Sequence, residues 1–201
     1  LAGSDESVHD EFTLGQIHLF ERMTERIQAR FDYKIWRHIL NSAGIERFPQ
    51  YHFDMVRLGI GLHGISAAHA NLQPVSSFKT YISSIRDVPE GQSIGYGRRS
   101  YTTRPSRIAV IPVGYADGLN RHLSNRIGEV YVKDQRVPII GNICMDTCMI
   151  DVTDTNATIG DEVEIFGKHI PVTELSDKLG TIPYEILTGI SFRVKRIYYK
   201  E

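Results

Sequence analysis

Two short stretches of this chain carry residue types that could do chemistry. Gly59-Ile60-Gly61-Leu62-His63-Gly64 has the Gly-x-Gly-x-x-Gly spacing of a dinucleotide-binding turn. Glycines at a strand end let backbone N–H groups close around a phosphate, while the plain alternative is a tight turn with no ligand. A dinucleotide site also needs a helix opening at the glycines and an acidic residue about 20 positions later for the ribose. Here residues 65–73 run into a proline-containing loop, and the nearest acid, Asp87, lies in a β-rich region. A nicotinamide or flavin site is therefore disfavoured, and a phosphate of another kind stays open. The second stretch, Cys144-Met145-Asp146-Thr147-Cys148, holds both cysteines of the chain but has no second pair or clustered histidines to complete a metal site. It reads as two reduced thiols in a cytoplasmic protein, and no metal is expected.

The elements that must position these residues change in texture along the chain. Within residues 11–30, Ile17, Phe20, Met23 and Ile27 recur at helical intervals behind Thr13 and Gln16, a capping-box spacing, so an amphipathic helix is predicted. Residues 33–39 alternate partly and empty into Asn41-Ser42, as a strand running into a polar loop would. A second short strand, 54–57, leads into the glycine turn. Helix, strand, loop, strand, loop is the pattern of an α/β segment whose functional groups gather where strands end. After Ala67-Ala68-His69-Ala70-Asn71 the chain becomes rich in short β-branched runs, which divides it into residues 1–72 and 73–201. Strands are predicted at 78–88, 107–113, 129–132, 137–140, 148–152, 162–166 and 196–199. A hairpin turn is predicted at Lys133-Asp134-Gln135, and a capped helix over 173–179 before Gly180.

Charge and hydropathy narrow the partners. With 23 basic and 24 acidic residues among 201, the net charge of -1 provides no field to hold nucleic acid or an anionic membrane surface. A small molecule fits better. No apolar run approaches the roughly 18 residues needed to cross a bilayer, so the chain reads as soluble. Leu1-Ala2-Gly3 shows neither an initiating Met nor a signal peptide, and the sequence is expected to begin within a longer protein.

Several strings then align in order. They are His38-Ile39-Leu40-Asn41-Ser42-Ala43, Val56-Arg57-Leu58-Gly59-Ile60, Gly95-Tyr96-Gly97, Gly114-Tyr115-Ala116-Asp117-Gly118, Gly141-Asn142-Ile143-Cys144-Met145-Asp146, Pro183-Tyr184-Glu185 and 190–196. Together they resemble the alanine racemases, with departures at Leu58, His63 and Lys195. The resemblance implies an α/β plus mainly β chain: the last strands of a TIM-type (β/α)8 barrel, followed by a C-terminal β-barrel-like domain.

The same resemblance implies pyridoxal 5'-phosphate as cofactor, with the Schiff-base lysine outside this chain. Ser42, Gly59, Ile60 and Tyr184 would hold the phosphate, with Asn41 alongside. Arg57 would face the pyridine nitrogen, oriented by His38. A guanidinium stays charged and only donates, so it leaves that nitrogen formally unprotonated and the ring a weaker electron sink, which favours return of the proton over transamination. Racemisation needs an acid and a base on opposite faces of the α-carbon. Tyr96 is the implied base on the L-face. A phenol titrating near pH ~10 is a poor base at neutrality and would need cationic neighbours. Met145 would offer its backbone N–H to the substrate carboxylate, and Tyr115 would line a narrow mouth with Tyr184. The resemblance further implies a homodimer with shared sites, a cytoplasmic location, and supply of D-alanine for peptidoglycan, this chain being inactive alone. A serine or broad-specificity racemase, and a catalytically silent dimerisation or binding domain of the same fold, remain the alternatives. Read singly, Ser42 is a loop hydroxyl, Arg57 an ion-paired arginine, His38 a core histidine, Tyr96 a ring capping a strand end, and Asp117 and Asp146 are turn carboxylates.

Overall fold

The computed structural model describes residues 1–66 and 72–199. The segment 67–71, where the texture changes, lies outside the described residues. The chain divides into two compact units, Leu1–Val75 and Ser76–Glu201.

In the first unit, helix α1 spans Asp10–Gln28, so it starts ahead of the predicted capping box. Thr13 is inside the first turn, fully buried, and its hydroxyl has no partner among the described residues. Asp10 and Glu11 supply the negative charge that favours a helix N-terminus, and Asp10 also pairs with Arg47 at 2.5 Å. Of the expected inward stripe, Ile17 is buried with Leu40 and Phe48, and Phe20 meets Phe53 with ring centroids 5.5 Å apart. Met23 and Ile27 stay half exposed and belong to none of the buried clusters.

The strands predicted at 33–39 and 54–57 do not form a ladder. Both segments run extended in the same direction, joined where the Asp54 and Met55 N–H groups donate to the Arg37 carbonyl (3.2 and 3.3 Å) and the Arg57 N–H donates to that of Leu40 (2.9 Å). The Arg37 N–H, which a ladder would use, donates instead to the Asp54 carboxylate at 2.9 Å. Lys34 sits 2.5 Å from the same carboxylate, and together with that N–H it holds the Asp54 carboxyl below its ordinary value. Helix α2 follows as Ser42–Arg47.

The second unit is built on antiparallel strands β1 (Phe78–Tyr81), β2 (Ser84–Val88), β3 (Ser93–Ile94), β4 (Ser100–Tyr101), β5 (Ser106–Ile111), β6 (Glu129–Val132), β7 (Gln135–Ile140), β8 (Cys148–Asp151) and β9 (Glu162–Phe166), followed by helices α3 (Val172–Leu179) and α4 (Pro183–Gly189). Seven strands form one sheet in the order β1-β9-β6-β7-β8-β5-β2. Its two edge strands are neighbours in sequence. The predicted strand 78–88 is therefore two strands: the chain changes partner at Ile82-Ser83, where the Ile82 N–H donates to Asp161 O and the Ser83 N–H to Val110 O. This handover joins one edge of the sheet to the other and curls it into a barrel-like form.

Alternation along the strands places Val130, Val132, Val137, Ile139, Ile150, Val163 and Ile165 in the main core, each burial contributing on the order of 1.5–3 kcal/mol. Neighbours on β5 and β7 point the other way, so Ile108 and Ile140 form a second small core with Ile94. That core seats the β3–β4 hairpin, which sequence reasoning missed because two-residue strands carry no readable period. The hairpin turn at Lys133-Asp134 takes positive φ at both residues (45° and 59°), the twist a two-residue connection needs. Thr173 does not cap α3, which begins after Pro171 with no side-chain cap. Its end is closed by Gly180 at φ 63° and by the Thr181 N–H donating to Ser176 O at 3.0 Å. Residues 196–199 do not form the predicted strand. Arg196 instead donates to the carbonyls of Ile190, Ser191 and Val194, folding the segment onto itself.

Glu164 on β9 is 5% exposed. Its carboxylate accepts from the backbone N–H groups of His169 (2.7 Å) and Ile170 (3.2 Å) and lies 3.2 Å from the His169 ring, which stacks on Tyr131. Burial works to raise the carboxyl's pKa, but these donors outweigh it and hold it below the ordinary 4.5. A depressed pKa stabilises the fold above the unfolded value, and the contribution is lost as pH falls through the folded one. Glu164→Gln is expected to cost about 1.5–3 kcal/mol near neutral pH. The gap from wild type should narrow in acid, as urea titrations near neutrality and well below pH 4.5 would reveal. An unchanged gap would contradict the role of the charge.

Candidate functional site

In the first unit, Asn41 caps α2: its side-chain oxygen accepts from the Gly44 N–H (2.9 Å) and the Ser4 hydroxyl (2.8 Å). That cap fixes Ser42 at the start of the helix, buried, with its hydroxyl oxygen accepting from the N–H groups of Gly59 (2.9 Å) and Gly61 (3.2 Å). Two amides and one hydroxyl thus converge from segments that sequence separates by 17 and 19 residues. Ile60 opens the 3-10 turn Ile60–His63, which ends at Gly64 with φ 74°. A Cβ at Gly64 would lie 1.9 Å from the Gln73 carbonyl oxygen, so the turn requires glycine there. The Gly-x-Gly-x-x-Gly string therefore builds a short turn, without the long helix of a dinucleotide site.

Arg57 is exposed and takes its bearing from the main chain. Its guanidinium donates to Ile39 O at 3.0 Å. His38 is also exposed and makes no hydrogen bond to Arg57 among the described residues, so the carbonyl of the following residue does the orienting expected of the imidazole.

In the second unit, the loop at the tip of the β3–β4 hairpin presents Tyr96, 76% exposed. Tyr115 opens the 3-10 turn Tyr115–Asp117 and Met145 sits in the β7–β8 connection, both about half exposed. These two loops are stitched together: the Tyr115 N–H donates to Cys144 O and the Ala116 N–H to Met145 O, each at 3.0 Å. Gly114 makes the approach possible, since a Cβ there would stand 2.3 Å from both carbonyl oxygens. Tyr184 lies in the first turn of α4.

Arg193 locks this pair of loops. Its Nε donates to Asp117 and its Nη2 to Asp146, each at 2.7 Å, while the second Asp117 oxygen accepts from the Gly114 N–H at 2.9 Å. Asp117 first, then Asp146, hold the guanidinium proton more firmly than in water. The two aspartates act as turn carboxylates, and both serve one cation. Nothing local marks Arg193 in sequence, because its partners lie 76 and 47 residues away. Arg193→Met should lower the urea midpoint of unfolding only slightly, because an ion-pair network half open to solvent is screened. Asp117→Asn should add little to it in a double-mutant cycle read by urea unfolding; additive losses would refute the shared lock.

Among the described residues no cluster of three or more His, Cys, Asp or Glu side chains could hold a metal ion, and no helix is long and apolar enough to cross a membrane. Burial, and then the neighbouring Cys144, push the Cys148 thiol well above its ordinary pKa, making it an inert core group.

A hydroxyl and two backbone amides converging in the first unit, joined in one chain to a curled antiparallel sheet with exposed tyrosines on its loops, define a two-unit class of protein. The chain belongs to the alanine racemase family. Residues 1–67 match the family's N-terminal domain and residues 75–198 its C-terminal domain. Alanine racemase 2 of Caldanaerobacter subterraneus subsp. tengcongensis is 45% identical over 207 residues, covering 98% of this chain and 53% of that protein. Among solved structures, the alanine racemase of D-cycloserine-producing Streptomyces lavendulae superposes with a TM-score of 0.92 at 31% identity, over 100% of this chain and 55% of that one. The Bartonella henselae alanine racemase, with covalently bound pyridoxal phosphate, gives 0.87 at 35% identity, over 99% and 55%. The chain spans about half the length of the curated relatives it matches.

Proposed function

We propose that this chain forms part of a pyridoxal-phosphate-dependent alanine racemase that interconverts L- and D-alanine in the cytoplasm for peptidoglycan synthesis. The observation that carries this reading is the convergence of the Gly59 and Gly61 N–H groups on the Ser42 hydroxyl in a chain of this family. Hydroxyls and backbone amides are the donors a phosphate dianion needs, so the residues present fit the cofactor's phosphate. Ile60 and Tyr184 complete that set, and Asn41 holds Ser42 in place through the α2 cap. Arg57, tied to Ile39 O, would donate to the cofactor's pyridine nitrogen. When bound, the cofactor acidifies the amino acid's α C–H by delocalising its electron pair. Tyr96 Oη takes that proton from, or returns it to, the L-face. Met145 N–H receives the substrate carboxylate, and Tyr115 with Tyr184 restricts the mouth to small side chains. The opposite face belongs to the Schiff-base lysine outside this chain.

The working unit in this reading is a homodimer in which residues 73–201 of one subunit bring Tyr96 and Met145 to residues 1–72 of the other, and the 201-residue chain alone is inactive. The test uses the full-length protein. Visible absorbance of bound cofactor, together with exchange of the L-alanine α-proton in deuterated water, supports the proposal. Absence of both would leave a silent binding or dimerisation domain, and faster exchange with L-serine or L-lysine would move the substrate.

A further inference from the structure

Little in the immediate surroundings of Tyr96 fixes it. Gly95 and Gly97 flank it with φ of 72° and 75°, Arg98 follows at 49°, and the ring projects into solvent. The position of the phenol therefore depends on what holds the loop's main chain. Asn142, 7% exposed between β7 and β8, donates its amide Nδ2 to the Tyr96 carbonyl oxygen at 2.7 Å. The Asn142 Oδ1 accepts from Asn125 Nδ2 (3.1 Å), Asn125 Oδ1 accepts from the Ser100 hydroxyl (2.8 Å), and Ser100 Oγ accepts from the Gly141 N–H (3.1 Å). The relay thus leaves β4 at Ser100, passes through two amides and ends on the apex of the hairpin that Ser100 closes. Its direction is settled by chemistry: with Oδ1 given to an amide donor, only Nδ2 remains for a carbonyl. Gly95 adds close contact at the same place, since a Cβ there would lie 2.7 Å from the Met149 methyl group.

We infer that Asn142 is a positioning residue for Tyr96, setting the reach of the phenol through the Tyr96 carbonyl. The inference rests on the proposed reading of Tyr96 as the L-face base. In the full-length protein, Asn142→Asp keeps the shape but puts an acceptor against a carbonyl. It is expected to lower kcat by about 10- to 100-fold, the cost of a misplaced reacting group, with little change in KM or cofactor absorbance. The deuterium isotope effect with [2-2H]L-alanine should rise while that with [2-2H]D-alanine does not. Amide hydrogen exchange in the peptide spanning 93–101 should quicken, a readout independent of activity. Asn125→Gly, which suits the left-handed backbone at that position (φ 57°), frees Asn142 Oδ1 and should give the same pattern more weakly, covering the case in which Asn142→Asp fails to fold. Wild-type isotope effects and exchange in both variants, beside a crippled Tyr96→Phe, would overturn the positioning role alone. An unimpaired Tyr96→Phe would overturn the reading of Tyr96 as base, and this inference with it.

Discussion

With Tyr96 as the proposed L-face base, Tyr96→Phe in the full-length protein is expected to lower kcat/KM for L-alanine by about 10²- to 10⁴-fold, the usual worth of a positioned proton-transfer group, while leaving stability within about 0.5 kcal/mol. Both halves follow from the same geometry. The ring is 76% exposed and its hydroxyl makes no hydrogen bond among the described residues, so deleting one oxygen removes almost nothing that holds the fold. That oxygen is nevertheless the only atom of the side chain that can give up or accept a proton. Cofactor absorbance should be unchanged, since the residues proposed to hold the cofactor, Ser42, Gly59 and Arg57, belong to the other compact unit. Initial rates and isotope effects from both enantiomers, with a urea titration alongside, check the prediction. A variant that keeps more than about half of wild-type activity is incompatible with a base at this position.

Gly114→Ala is expected to produce the largest structural effect in the second unit. Its φ of -147° is extended backbone that any residue adopts, so the cost is not conformational. It is a collision, because the new methyl group would lie 2.3 Å from the carbonyl oxygens of Cys144 and Met145. Relief requires the Tyr115 and Met145 loops to separate, breaking the two 3.0 Å backbone bonds that join them and pulling Asp117 and Asp146 from their common partner Arg193. Overpacking costs roughly 1–3 kcal/mol, and each lost backbone bond about 1 more, so a loss of about 3 kcal/mol or greater is expected. KM for alanine should rise with it if Met145 receives the carboxylate. Gly189→Ala provides the control: nothing lies within 4 Å of its added Cβ, and at the end of α4 alanine should be neutral or mildly stabilising. Equal unfolding midpoints for the two variants would show that the loops are not as close as described.

Several elements were legible in the residues because their causes are local. Lys133-Asp134-Gln135 between two β-branched runs predicted a hairpin turn, which closes over Lys133-Asp134 with Gln135 already opening β7, and β6 and β9 fall where 129–132 and 162–166 were predicted. Helix α1 was visible from its period, but its start was misplaced at Thr13, since a capping-box spacing says nothing about whether the threonine is buried. The strand at 33–39 failed for a related reason. Its residue pattern suits a ladder, but a side chain 17 positions on takes the Arg37 N–H, and no local pattern reports that competition.

Sequence by itself determined which chemical groups this protein owns and the order in which they occur. That order was enough to reach the alanine racemase family, because side-chain type and turn chemistry are properties of single residues and short strings. Only the tertiary structure decided which of those groups meet. It put the Gly59 and Gly61 amides on Ser42, gave Arg57 a carbonyl where an imidazole was expected, clamped the Tyr115 and Met145 loops through Arg193, and hung the Tyr96 loop from Asn142. Each of these contacts spans between 17 and 76 residues of chain. At such separations no periodicity survives, and partners are selected by how the curled sheet and the α/β unit each pack.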